Sequence, residues 1–313
     1  DEKKLTMVTG SFEAVGRFRK GEIDEDYLNC MEENSCPSAG ACQGMYTANT
    51  MACLTEVMGM SMPYCASASA VSSQKRRIAF ESGMQIVDLI NKNIKPSDII
   101  TKQSLNNAVV TSLAVGGSTN TFLHLLAIAN AGGIDLTIDD FDKLSREVHQ
   151  IVKINPSSSL TMTDFHYAGG IPAVEKSLKD LLNNTKTVSG NTVFEIADEA
   201  YRDENIIPQY DKSQYSQAGL GVLYGNLAQD GCVTKISGID PECYQFEGVA
   251  RVFNSEEDAM KALEDDKINA GDVIIIRYEG PQGGPGMREM LAPTSLLVGK
   301  GLGKTCALIT DGR

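Results

Sequence analysis

The sequence predicts an α/β protein in two parts, helix-rich first and strand-rich second. Three observations lead there. Apolar residues recur at helical spacing through most of the chain up to about residue 182. Short runs rich in Val, Ile and Tyr, bounded by Gly and Asp, dominate after residue 220. Between them Ile206 to Ala218 is polar and turn-rich, with Pro208, Asp211, Ser213, Gln214 and Ser216. A boundary there divides the chain into residues 1–210 and 211–313.

Residues 1–35 read as mixed and exposed, with a basic stretch Arg17 to Lys20 and an acidic one Glu22 to Asp26. Cys36-Pro-Ser-Ala-Gly-Ala-Cys42-Gln-Gly44 is a small-residue loop, suited to tight turns and close backbone approach. Helical spacing of Ala48, Met51, Ala52, Thr55 and Met58 makes Tyr46 to Met58 a helix with a closely packed face. Gly59 begins its exit and Pro63 prevents much continuation. A second helix spans Ser73 to Asn91, with Ile78, Met84, Val87, Leu89 and Ile90 as its apolar side. Gly116-Gly-Ser-Thr-Asn120 opens an apolar helix reaching Asn130, its hydroxyl and amide side chains serving as a helix start. That start is an ordinary cap or, through its free amides, a place for an anion. Asp139 to Val148 is amphipathic, and Pro172 to Leu182 is a helix with Pro in its first turn. Then come strands at 220–224, 232–236, 248–253 and 272–278, interrupted by a helix from a Ser255 cap to Leu263. A last apolar run, Cys306 to Thr310, precedes Asp311-Gly-Arg313.

With 313 residues, 42% hydrophobic and 22% charged, the chain has enough material for a sizeable core. Its net charge of −13 argues against nucleic-acid and anionic-membrane partners. No apolar stretch is long enough to span a bilayer and no secretory leader is visible. The chain starts with Asp and stops directly after an apolar run, so both ends are expected to be cuts.

Of eight cysteines, Cys30, Cys36, Cys42, Cys53 and Cys65 fall within 36 positions. That density is far below a disulfide scaffold, and the spacing matches neither a zinc pair nor a ferredoxin run. A metal site and simple burial both stay open. The second constellation is Gly280-Pro-Gln-Gly-Gly-Pro-Gly286-Met-Arg-Glu289, a stiff loop flanked by Glu279 and Glu289. A carboxylate on a rigid turn suits Mg²⁺, although a plain structural turn has the same composition. No dinucleotide or phosphate-loop pattern occurs there. His124, inside an apolar helix, reads as a core residue, and no Ser-His-Asp or Cys-His arrangement can be argued.

Six segments in order resemble the dihydroxy-acid dehydratase family: Cys36 to Met51, Glu56 to Pro63, Gly116 to Asn120, Gly225 to Gly231, Glu279 to Met290, and Leu308 to Arg313. That family also includes phosphogluconate and sugar-acid dehydratases. The Met45-Tyr-Thr-Ala-Asn-Thr-Met51 run looks like the branched-chain enzyme, which turns 2,3-dihydroxy-3-methyl acids into 2-keto acids. A sugar-acid dehydratase is the runner-up. The resemblance implies a barrel-like, swivelling β/α C-terminal domain, with both domains incomplete here. It implies a [2Fe–2S] cluster whose third cysteine ligand matches Cys42, and an Mg²⁺ ion with Glu289 as a ligand. Ser118, Thr119 and Asn120 are carried as substrate-binding candidates. A base serine is expected just beyond Arg313, and the other two cluster cysteines upstream of Asp1. A homodimer in the cytoplasm or an organelle matrix fits the family. Three positions depart from its pattern: Ser38 and Gln43 stand where glycines are expected beside Cys42, and Gln229 replaces a proline. Because ligands and base lie outside it, the chain alone is expected to be inactive. The contrasting class is a non-catalytic binding or assembly fragment with cysteines as packing.

Overall fold

The computed structural model describes residues 13–36, 39–282, 284 and 286–313. By compactness the chain forms two units, Ala39–Gly238 and a second made of Asp1–Ser38 with Ile239–Arg313. Ser38 lies outside the described residues, as do Gly283 and Pro285 of the glycine-rich loop.

The chain begins with α1 (Glu13–Arg19) and α2 (Glu25–Asn34), the latter capped by Asp24, which accepts the Tyr27 N–H. The charged residues that made this stretch read as mixed are exposed, on two short helices and in the turn between them. The next unit is almost all helix. It holds α3 (Thr47–Val57), α4 (Ser73–Asn91), α5 (Pro96–Ile99), α6 (Lys102–Val115), α7 (Asn120–Ala131), α8 (Ile138–Glu147), α9 (Met162–Tyr167), α10 (Gly170–Ser177) and α11 (Val193–Glu199). Reciprocal side-chain caps start several of them: Thr137 with Asp140, Thr161 with Asp164, and Thr192 with Glu195. One antiparallel pair, β1 (Gly221–Leu223) and β2 (Cys232–Thr234), closes the unit, with Val222 opposite Val233.

Its core is built around α6, whose Leu105, Val109 and Leu113 are wholly buried together with Cys53, Leu54 and Val57 of α3. Phe122 stacks on Phe141 at 4.3 Å, joining α7 to α8. The methionines of the α3 segment serve as packing, as expected: Met45 and Met58 are buried. The apolar side expected for α4 divides. Ile78 and Leu89 face the core, while Phe80, Met84, Val87 and Ile90 are exposed. His124 is exposed on α7, contrary to the core reading, because the helix turns that position outward between Phe122 and Leu125.

The other unit continues with β3 (Val249–Phe253), α12 (Glu256–Glu264), β4 (Asp272–Ile276), α13 (Leu291–Gly299) and β5 (Ala307–Thr310). The three strands form a parallel sheet in the order β3-β4-β5, each step crossing through a helix. Ile274 and Ile276 bury against Leu263, Leu296 and Leu297. Among the described residues these strands do not close into a barrel. Against α1, Gly16 meets Gly299 of α13 so closely that a Cβ on either would strike the other backbone.

Candidate functional site

Cys42 sits half-buried in the turn leading into α3. Its thiol points at the Gly44 carbonyl, 3.7 Å away. Buried Asn49, on the first turn of α3, donates to the carbonyls of both Cys42 and Gly44, at 2.5 and 2.7 Å. The turn is also tied outward. Met45 N–H donates to Asn155 O, and Gln43 O accepts from Met162 N–H. Gly44 is required, since a Cβ there would lie 2.7 Å from Asn155 O. Removing the Asn49 carboxamide takes the amide donor from both carbonyls and leaves Gly44 O only the weak Cys42 thiol. Asn49→Ala is expected to cost about 2 kcal/mol of unfolding free energy. Hydrogen exchange should rise at Met45 while α10 keeps its protection. Denaturant midpoints unchanged in the variant would contradict this account.

The second motif docks onto the same helix. The α6 C-cap, Gly116, has φ +62° and hands the chain to Gly117 and Ser118. Ser118 N–H donates to Thr50 Oγ1 at 3.1 Å, and its hydroxyl lies 3.1 Å from Thr47 Oγ1. Asn120 Nδ2 donates to the same Thr47 hydroxyl at 2.6 Å. Thr119 is the half-exposed residue before α7. So Ser118 and Asn120 meet the helix that begins five residues after Cys42, forming one polar patch of hydroxyls and an amide.

Sequence reasoning missed Lys235, which follows β2. The side chain is half-buried, and its desolvated ammonium donates to Gly116 O at 2.7 Å, Gly117 O at 3.0 Å and Met45 O at 3.3 Å. Burial lowers its pKa to about 8. A lone lysine after a short strand carries no motif, so nothing in the pattern singles it out.

In the other unit the glycine-rich loop and the chain end lace together. Arg313 N–H donates to Arg288 O, and Met290 N–H to Arg313 O. The Asp311 carboxylate accepts the N–H groups of Tyr278 and Glu279, both at 3.0 Å. Glu289 lies between, exposed, just ahead of the Met290 that caps α13. Partial desolvation raises its pKa from the ordinary value, and Glu256 adds to the rise, against the Leu291 N–H and Arg313, which lower it. Glu279 is buried. One of its oxygens accepts the Glu256 N–H at 2.6 Å, and the other meets no partner among the described residues. Arg288 bridges Glu256 and Glu257 at 2.8 and 2.6 Å and lies 3.6 Å from Glu279.

These donors fit metal chemistry as single ligands. Cys42 offers one accessible thiol in a turn with small neighbours, and Glu289 one accessible hard oxygen. Neither completes a site: no group of three His, Cys, Asp or Glu able to hold a metal occurs among the described residues. The remaining cysteines of the 30–65 cluster do not join Cys42 as a set. Cys53 is buried in the α3 core, its thiol pKa pushed up by burial, and Cys65 contacts Lys75 Nζ at 3.3 Å. Cys30 and Cys36 belong to the other unit. No helix among the described residues is long and apolar enough to cross a membrane.

Two family models match. The dihydroxy-acid/6-phosphogluconate dehydratase N-terminal model covers residues 1–196 and the corresponding C-terminal model covers residues 205–313. Among curated proteins, the chain is 52% identical over 312 residues to the dihydroxy-acid dehydratase of Thermodesulfovibrio yellowstonii, covering 99% of this chain and 57% of that protein. It is 53% identical over 313 residues to the one from Methanococcus vannielii, with the same coverage. A third, from Endomicrobium trichonymphae, is 52% identical over 315 residues, again 57% of its length. The chain thus spans little more than half the length of these relatives.

Proposed function

Because the chain belongs to the dihydroxy-acid/6-phosphogluconate dehydratase family, we propose that it is part of a hydro-lyase that turns 2,3-dihydroxy-3-methyl acids into 2-keto acids in branched-chain amino-acid biosynthesis. The observation that carries this is the docking of the Cys42 turn and the Ser118–Asn120 segment on the same end of α3. A soft ligand and a patch of hydroxyl and amide donors are both hydrogen-bonded to the first turn of one helix. The substrate class follows the names of the relatives, all dihydroxy-acid dehydratases.

In this reading Cys42 is one thiolate of a [2Fe–2S] cluster and Glu289 one ligand of Mg²⁺. When bound, these groups supply Lewis acidity for the departing 3-hydroxyl and neutralise charge developing at the carboxylate. The chain's own residues do the rest. Asn49 fixes the backbone on either side of the thiolate. Ser118, Thr119 and Asn120 provide donors for substrate oxygens. The lacing of Arg313 to Arg288 and Met290 holds Arg313 against the two residues that flank Glu289. A serine base just past Arg313 would therefore begin close to the Mg²⁺ ligand. The working form is a homodimer in the cytoplasm or an organelle matrix.

The test uses the whole protein, purified without oxygen. A brown protein whose visible absorption disappears in Cys42→Ser is expected, with turnover of 2,3-dihydroxyisovalerate in preference to sugar acids. Preference for sugar acids would move the assignment to the sister activity. A colourless wild type indifferent to the substitution would remove the enzyme reading and leave a binding or assembly fragment. The 313-residue chain alone is expected to give no 2-keto acid.

A further inference from the structure

We propose that Lys235 is a positioning residue that clamps the Cys42 turn to the Gly116–Asn120 segment, fixing the distance between the thiolate and the substrate-binding donors. Its pairing points there. A buried ammonium costs folding free energy unless it is paired, and a carboxylate is the usual partner. Lys235 has none: among the described residues no salt bridge reaches it. The charge is answered by three backbone carbonyls instead. Two of them, Gly116 and Gly117, stand at the C-terminus of the 14-residue helix α6, where the unpaired carbonyls carry the negative end of the helix dipole. The third belongs to Met45, three residues beyond Cys42, in the turn that starts α3.

One cation therefore spans two loops that are far apart in sequence. On its far side each loop leads to a site candidate. Gly117 is followed by Ser118, and Met45 is preceded by the Gly44 that the Cys42 thiol faces. A neutral side chain of equal length would fill the volume and lose all three bonds at once. The strand pair β1–β2 delivers the lysine, with Ser237 N–H donating to Gly219 O just after it. The hairpin is thereby given a purpose in a unit that is otherwise helical. The proposal rests on the reading of Cys42 and Ser118–Asn120 as parts of one site.

Two variants test it, Lys235→Met and Lys235→Arg. In the 313-residue chain, amide exchange at Met45, Gly117 and Ser118 is expected to quicken about tenfold or more in Lys235→Met, while Leu178 in the packed end of α10 stays as in the wild type. Lys235→Arg, which keeps charge and donors, should restore much of the protection. In the whole protein, Lys235→Met should lose or shift the visible absorption, and Lys235→Arg should retain it. Unchanged exchange at the three amides overturns the clamp, as does loosening that spreads equally through the unit or outright unfolding of Lys235→Met, both of which mark an ordinary core residue. A colourless wild-type whole protein overturns the site reading instead, whatever the exchange result.

Discussion

Gly219→Ala is expected to destabilise the Ala39–Gly238 unit by about 3 kcal/mol or more, a core overpacking with no flexible neighbour to give way. Gly219 is buried where the chain enters β1. Its N–H donates to Leu113 O, and its carbonyl accepts the Ser237 N–H. A Cβ on it would land on the Gly116 Cα, 2.8 Å from Gly116 N and 3.1 Å from Leu113 O. All three are backbone atoms, and Gly116 is held at φ +62° with its carbonyl on Lys235. Relief can come only by moving the end of α6, which moves Ser118 away from Thr47 and Thr50. Urea unfolding should show the loss, and Gly225→Ala serves as the control, since nothing among the described residues lies within 4 Å of a Cβ there. Equal midpoints for the two variants would mean that the close approach is not real.

This glycine also shows what a single sequence conceals. Gly219 lies in a turn-rich segment and looks like any linker glycine. Its need for a bare backbone comes from Gly116, about a hundred residues away. Local patterns were legible where the period and the caps agree. The helix read at Ser73 to Asn91 is α4 to the residue, with Ser72 capping the Lys75 N–H. Its exposed apolar stripe was not legible, because periodicity says that residues share a face and not what covers it.

The central helix α6 escaped detection for the opposite reason. From Asn107 onward it is buried all round, so it has no polar face there, and it uses Ser104, Asn107, Thr111 and Ser112 inside the core. Asn107 is satisfied by the backbone of Asn183, and Ser112 by Thr121. Asn183 lies 76 residues from Asn107, a distance no window captures. The candidate site divides the same way. Cys42, Gly116–Asn120 and Glu289 stand in recognisable motifs. Lys235, Asn49 and buried Glu279 acquire their roles only from the tertiary contacts that surround them.

The pH dependence of stability is expected to carry the mark of Glu56. This residue of α3 is buried, with one oxygen accepting the Tyr64 N–H at 2.7 Å and the other the Ala66 N–H at 2.8 Å. Burial raises its pKa from 4.5 to about 7, against the Ala66 and Tyr64 amides and Lys75, which lower it. Glu175 on α10 is buried as well, its carboxyl pushed up by burial and then by Glu56. The folded value for Glu56 lies above the unfolded one, so the native state holds the proton more tightly. Its contribution to stability is whole below about 4.5 and is lost as pH rises through about 7. At about 1.4 kcal/mol per pH unit, the gap amounts to about 3 kcal/mol. Glu56→Gln removes the titration but turns an amide NH₂ toward one of the two backbone donors, so it starts less stable in acid. Unfolding free energies of wild type and variant should therefore converge and cross as pH rises, the difference swinging by about 3 kcal/mol toward the variant between about pH 4.5 and 7.5. Parallel curves would show that Glu56 ionises normally and that the loop from Met60 to Ala66 is not held by a proton-bearing carboxyl. A crossing would tie the stability of α3, and with it the base on which Cys42 and Ser118 are mounted, to the protonation of its own far end.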